Sequence, residues 1–161
     1  MKKYIAILFI IILTFSGCKN DGEDMHHIPT PTDVLSTSDI KEYIDFEPMV
    51  DKSETENSKT VKYKNQTPGI SDIVEVTVYS ENKNISKAEI EEKFRFIKDK
   101  STEYGSIIPV DSKDAECFIK IPSAYILKDG NLVVISAGSG GEEEQVNLLR
   151  ELLAVAIKNI K

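Results

Sequence analysis

From Glu142 to Ile160 the apolar residues recur at a spacing that only a helix can gather on one side: Val146, Leu149, Leu153, Ala156, Ile157 and Ile160, broadened by Leu152. Glu142, Glu143 and Glu144 stand in the first turn and Lys158 and Lys161 in the last, each sign matching the end of the helix dipole that it faces. A stripe this wide must be buried against an equally broad apolar surface. The remainder of the chain has to supply a sheet.

Strands are marked by alternation and β-branching. Val61 and Tyr63 suggest one; Val74, Val76 and Val78 form one face of a second, with Glu75 and Thr77 opposite, and Pro68-Gly69 turns the chain between them. The two are expected to pair as a hairpin. A run from Glu116 to Leu127 continues through Lys128-Asp129-Gly130-Asn131 into Leu132 to Ala137, and Asp129-Gly130 suits the positive φ of a tight hairpin turn. Pro122, inside the first arm, marks an edge position or a bulge. Asp51 to Lys59 carries no hydrophobic residue and reads as an exposed loop between strands.

Two further helices announce themselves by their caps. Ser36 with Asp39 three residues on, flanked by Leu35 and Ile40, opens a short helix to about Ile44. Ser86 with Glu89, flanked by Ile85 and Ile90, opens a longer one whose stripe is Ile90, Phe94, Ile97 and Tyr104 and whose terminator is Gly105. The order helix, strands, helix, strands, helix predicts an α+β domain: a twisted, mainly antiparallel sheet packed by two longer helices and one short N-terminal helix.

The N-terminus carries a different kind of information. Lys2 and Lys3 precede an apolar run from Tyr4 to Phe15 and then Phe15-Ser16-Gly17-Cys18. This resembles a bacterial lipoprotein export signal, which implies cleavage after Gly17 and lipid attachment at Cys18. The run is about a dozen residues, short of the roughly 20 needed to span a bilayer. The expected organisation is a signal peptide over 1–17, a lipidated Cys18 and polar, Pro-containing tether over 18–33, and one globular domain over 34–161.

Composition narrows the function classes. Removing residues 1–17 leaves 144 residues, enough for one core. It also takes away two of the 20 basic residues, leaving 18 against 27 acidic ones, a formal charge of −9. That balance disfavours nucleic acid as a partner and disfavours docking on anionic lipid through a basic patch. With Cys18 acylated only Cys117 remains, so an internal disulfide is not expected and packing must supply the stability.

Chemistry-bearing residues are few. Cys117 alternates with Ile119 and Ile121, which suits a buried apolar role; a reactive thiol would need a base, and the only histidines, His26 and His27, fall in the tether. Those two, with Glu23 and Asp24, have ligand chemistry for a transition metal but no preorganised frame, so no metal site is expected. Gly138-Ser139-Gly140-Gly141 before the last helix evokes a phosphate loop, yet no Lys follows and three glutamates would repel an anion. Tyr63, Tyr79 and Tyr125 are expected to pack within the sheet. No catalytic residue and no cofactor are assigned.

Taken together, the capped Val34-Leu35-Ser36-Thr37-Ser38-Asp39-Ile40 segment, the Val-Lys-Tyr and Val-Glu-Val-Thr-Val strands, Ser136-Ala137-Gly138 and the closing Leu-Leu-Ala-Val-Ala-Ile helix resemble small bacterial lipoproteins with a PsbP-like α/β/α sandwich. The resemblance implies a non-enzymatic extracytoplasmic domain. The expected function is a lipid-anchored binding or accessory lipoprotein of the cell envelope, held at the extracytoplasmic face of the membrane through Cys18 and meeting an envelope protein or peptide. An inhibitor or immunity lipoprotein is a special case of it. The competing expectation is a membrane-anchored hydrolase using acidic residues, which would need two carboxylates converging in a cleft.

Overall fold

The computed structural model describes residues 28–67, 73–138 and 140–160. Among them, seven strands form one antiparallel sheet, and helices pack on both of its faces, an α+β fold. The described residues open with two single-turn helices, α1 (Pro31–Val34) and α2 (Thr37–Lys41). Three strands follow, β1 (Pro48–Glu54), β2 (Lys59–Asn65) and β3 (Ile73–Tyr79), then the long helix α3 (Lys87–Glu103). The chain continues through β4 (Ile108–Pro109), β5 (Glu116–Lys120), β6 (Ser123–Lys128) and β7 (Asn131–Ala137) into the closing helix α4 (Glu142–Asn159). The strand order β1-β2-β3-β7-β6-β5-β4 brings β7 back to pair with β3 at the centre, Val74 opposite Ala137 and Tyr79 opposite Leu132.

Alternation along the strands sorts side chains between two cores. One face gathers Val61 and Tyr63 of β2, the three valines of β3, Ile126 of β6 and Ile135 of β7 under α4 and the α1–α2 segment. Leu149, Leu152, Leu153, Ala156 and Ile157 of α4 are buried there, as the helical spacing requires. The opposite face is smaller: Phe118, Leu132 and the partly buried Tyr125 meet Ile90 and Phe94 of α3. Phe118 stacks on Tyr125 with ring centroids 4.8 Å apart and meets Phe94 at a tilt.

Beyond α3 that second face turns hydrophilic. A row runs across six strands in register, Asp51, Lys62, Glu75, Ser136, Ser123 and Lys120. Four of its members pair within the row: Lys62 with Glu75 at 2.7 Å, which raises the lysine pKa, and Ser123 with Ser136, which share a hydrogen bond at 2.8 Å. Thr60 and Thr77 do the same one row along, at 2.9 Å.

The caps form as their residue types dictate. Ser86 N–H donates to Glu89 Oε2 at 2.8 Å while Glu89 N–H donates back to Ser86 Oγ, and these bonds hold the Glu89 carboxyl below its ordinary pKa. Ser36 and Asp39 repeat the arrangement on α2. Gly105, at φ 65, ends α3: its N–H donates to the Thr102 carbonyl and that of Ser106 to the Ser101 carbonyl, satisfying the last turn. Asp129 and Gly130, at φ 51 and 81, make the tight β6–β7 turn.

Four expectations are corrected. Asp51 to Lys59 is not a loop: β1 extends to Glu54 and pairs residue for residue with β2. It lacks an apolar pattern because, as the edge strand, it has water on both faces. Pro122 does not interrupt one arm; with Ile121, through a cis peptide, it forms the two-residue turn between β5 and β6. Tyr104 leaves the α3 stripe and is 76% exposed, while Ser101 takes the inward position and donates to its own helix at Ile97. Finally, the fold begins before Val34. Thr30 caps α1 reciprocally with Asp33, and Pro29 and Pro31 are buried.

Candidate binding groove

At the end of the sheet where the β1–β2 turn meets the β3–α3 connection, on the face that carries α1, a groove encloses about 760 Å³. Each wall is held by local hydrogen bonds. In the turn, Thr55 Oγ1 accepts from the N–H of Ser58 at 3.1 Å and Thr55 N–H donates to the Ser58 carbonyl at 2.8 Å. In the connection, Asn82 Oδ1 accepts from the N–H of Asn84 at 2.8 Å, and Asn82 N–H donates to the Ile85 carbonyl at 3.0 Å. Asn84 Nδ2 then crosses to the Glu56 carbonyl at 3.2 Å and ties the walls together.

The floor is Val78, and Ile28 and Pro29 flank it where the described chain begins. Ser80, 9% exposed, also lines the groove, and its hydroxyl is buried with no hydrogen-bond partner among the described residues. A buried hydroxyl left unpaired costs about 1–3 kcal/mol, a cost that the fold bears at this point. Glu54 pairs with Lys59 at 3.6 Å, whereas Glu56, Glu81 and Lys83 make no ion pair among the described residues. A smaller groove of about 360 Å³, lined by Thr30, Thr32, Lys52 and Ser53, adjoins through Glu54 and Lys59. The whole arrangement offers donors and acceptors in a water-accessible trough. Among the described residues, no base lies within hydrogen-bond reach of the Ser80 hydroxyl.

No protein-family model, curated protein or solved structure matches the chain.

The residues singled out in the sequence lie elsewhere. Cys117 is 7% exposed among the apolar side chains beneath α4, its thiol 3.6 Å from the Val110 carbonyl, and burial pushes its pKa up. Gly141 donates its N–H to Glu144 at 3.1 Å, so the start of α4 is already occupied by a carboxylate of its own first turn. Tyr63 is fully buried, Tyr79 lies under Lys93 at 4.3 Å, and Tyr125 packs against Phe118. Cys18, His26 and His27 fall outside the described residues. Among the described residues, no helix is long and apolar enough to cross a membrane, and no group of three His, Cys, Asp or Glu side chains is placed to hold a metal ion.

None of the groove residues was legible as a site. The polar Ser80-Glu81-Asn82-Lys83-Asn84 run signals a loop. Its partner wall depends on β1 being a strand, and β1 has no hydrophobic period to read.

Proposed function

We propose that this protein is an extracytoplasmic, lipid-anchored binding or accessory lipoprotein of the cell envelope, attached to the membrane through Cys18, with the Ser80 groove as its ligand site. The observation that carries the reading is the unpartnered Ser80 hydroxyl in a polar groove beside Ile28. Ile28 is ten residues beyond Cys18, a distance that even a fully extended chain limits to about 36 Å. A groove at that end of the domain would meet molecules at the membrane surface rather than far from it. The lack of a base at Ser80 among the described residues and the buried Cys117 with its raised pKa favour binding over hydrolysis.

The test has two arms. Labelling with a fatty-acid analogue is expected to be lost in Cys18→Ser, and persistence of the label would remove the anchor from the proposal. A photo-crosslinking residue at Lys83, on the groove rim, is expected to give a specific adduct in cells, whereas one at Arg150 on the outside of α4 is not. Adducts at both positions, or at neither, would overturn the groove as the ligand site.

A further inference from the structure

The two edges of the sheet are unlike. One ends in β4, two residues long and closed by Pro109, which has no N–H to offer a further strand. The other ends in β1, seven residues long, paired to β2 in unbroken register from Pro48 opposite Asn65 to Glu54 opposite Lys59. No bulge turns this edge away, and no described element pairs with its outer side. All of its residues after Pro48 are exposed, including Met49 at 48% and Val50 at 37%. A straight edge of this length presents a row of unpaired main-chain groups whose complement is another extended chain.

We propose that the outer edge of β1 receives an extended peptide segment of a partner protein, added antiparallel as an eighth strand. The side chains decide against a second copy of this chain as the occupant. A two-fold pairing keeps each residue on its own face of the sheet, and the register that uses all seven residues sets Asp51 against its own copy. The charges along the edge also select the peptide. Asp51 is held by Lys64 and Glu54 by Lys59, but Lys52 makes no ion pair among the described residues. The fitting segment places a carboxylate opposite Lys52, beside the smaller groove that Lys52 lines, and apolar β-branched residues opposite Val50 and Met49. This surface lies apart from the Ser80 hydroxyl, and it stands or falls independently of what fills that groove.

Amide hydrogen exchange of the mature chain in detergent tests the proposal, with the synthetic heptapeptide Lys-Thr-Glu-Lys-Val-Ile-Thr as probe, which sets its Glu against Lys52. At millimolar peptide, exchange across β1 is expected to slow by about tenfold or more, with no slowing at β4. The same peptide N-methylated at alternate residues, which loses main-chain donors, is expected to give no slowing. Lys52→Glu, an exposed change, is expected to weaken binding by about fivefold, and a peptide with Lys in place of that Glu to recover it. No protection at β1, equal protection from the N-methylated peptide, or indifference to the charge exchange would each overturn the proposal. So would β1 protection without peptide in a chain that sediments as a dimer, which would make the edge a contact between copies.

Discussion

The hydroxyl of Tyr63, on β2, donates to the main-chain carbonyl of Leu35, between α1 and α2, and both residues are fully buried. One bond thus fixes the opening segment to the sheet at a point that water does not reach. Tyr63→Phe keeps the ring and leaves the carbonyl unpaired, so it is expected to cost about 1–3 kcal/mol in chemical denaturation, with the fold retained.

The same residue gives the protein an alkaline limit. Burial, with a smaller contribution from Asp39, pushes the Tyr63 pKa from 10.0 up to about 12. A group that holds its proton more tightly when folded lends stability that is complete below its unfolded pKa and disappears as pH rises through the folded one. Between pH 10.0 and about 12, stability is expected to fall more steeply in the parent than in Tyr63→Phe. Parallel slopes in denaturant titrations across that range would contradict the assignment.

Residues 29–33 are expected to matter to stability, against the reading of them as tether. A chain starting at Val34 loses the Thr30 cap and the burial of Pro29 and Pro31. A cap alone is worth about 1 kcal/mol. The shortened chain is expected to melt several degrees below one starting at Ile28, and equal melting temperatures would restore the original boundary.

What the sequence disclosed and what it hid follow from where each segment meets water. α4, the β2–β3 pair, the Ser86 cap and the Asp129-Gly130 turn were legible because each buries one face or needs a special φ, and both leave a pattern in residue types. β1 was hidden because an edge strand with no buried face has no reason to alternate. α1 was hidden because a four-residue helix makes barely one turn and cannot repeat an apolar residue on one face, which left the Thr30 and Asp33 cap with Pro31 as its signal. The groove inherits both gaps, since its walls meet only once β1 is paired and its flank is the segment read as tether.

Cys117 is expected to be chemically quiet. Its thiol is buried and its pKa raised, so the thiolate is scarce at neutral pH. Iodoacetamide is expected to label it slowly in the native protein and rapidly in denaturant. Fast native labelling would mean that the core beneath α4 opens readily.

Leu153, 2% exposed, anchors the middle of the α4 stripe. Leu153→Ala is expected to cost about 2–5 kcal/mol, a large part of the roughly 5–15 kcal/mol that holds a domain of this size together. An unchanged denaturation midpoint would turn the stripe from core into contact surface.

Asn159, at the end of α4, donates from its side-chain amide to the Val34 carbonyl at 3.1 Å, so the first and last of the described helices are fastened to each other. The fold is in that sense nearly circular. Joining Ile28 to Ile160 with a linker and cutting at the Asp129–Gly130 turn is expected to yield a permuted protein with the same sheet, because Val34 and Asn159 are already in contact. If the domain is held through Cys18 as proposed, the same fastening receives mechanical load. A pull on the chain ahead of Ile28 would be taken up at α1, which is fastened to α4 through Asn159 and, by the neighbouring Leu35, to β2 through Tyr63.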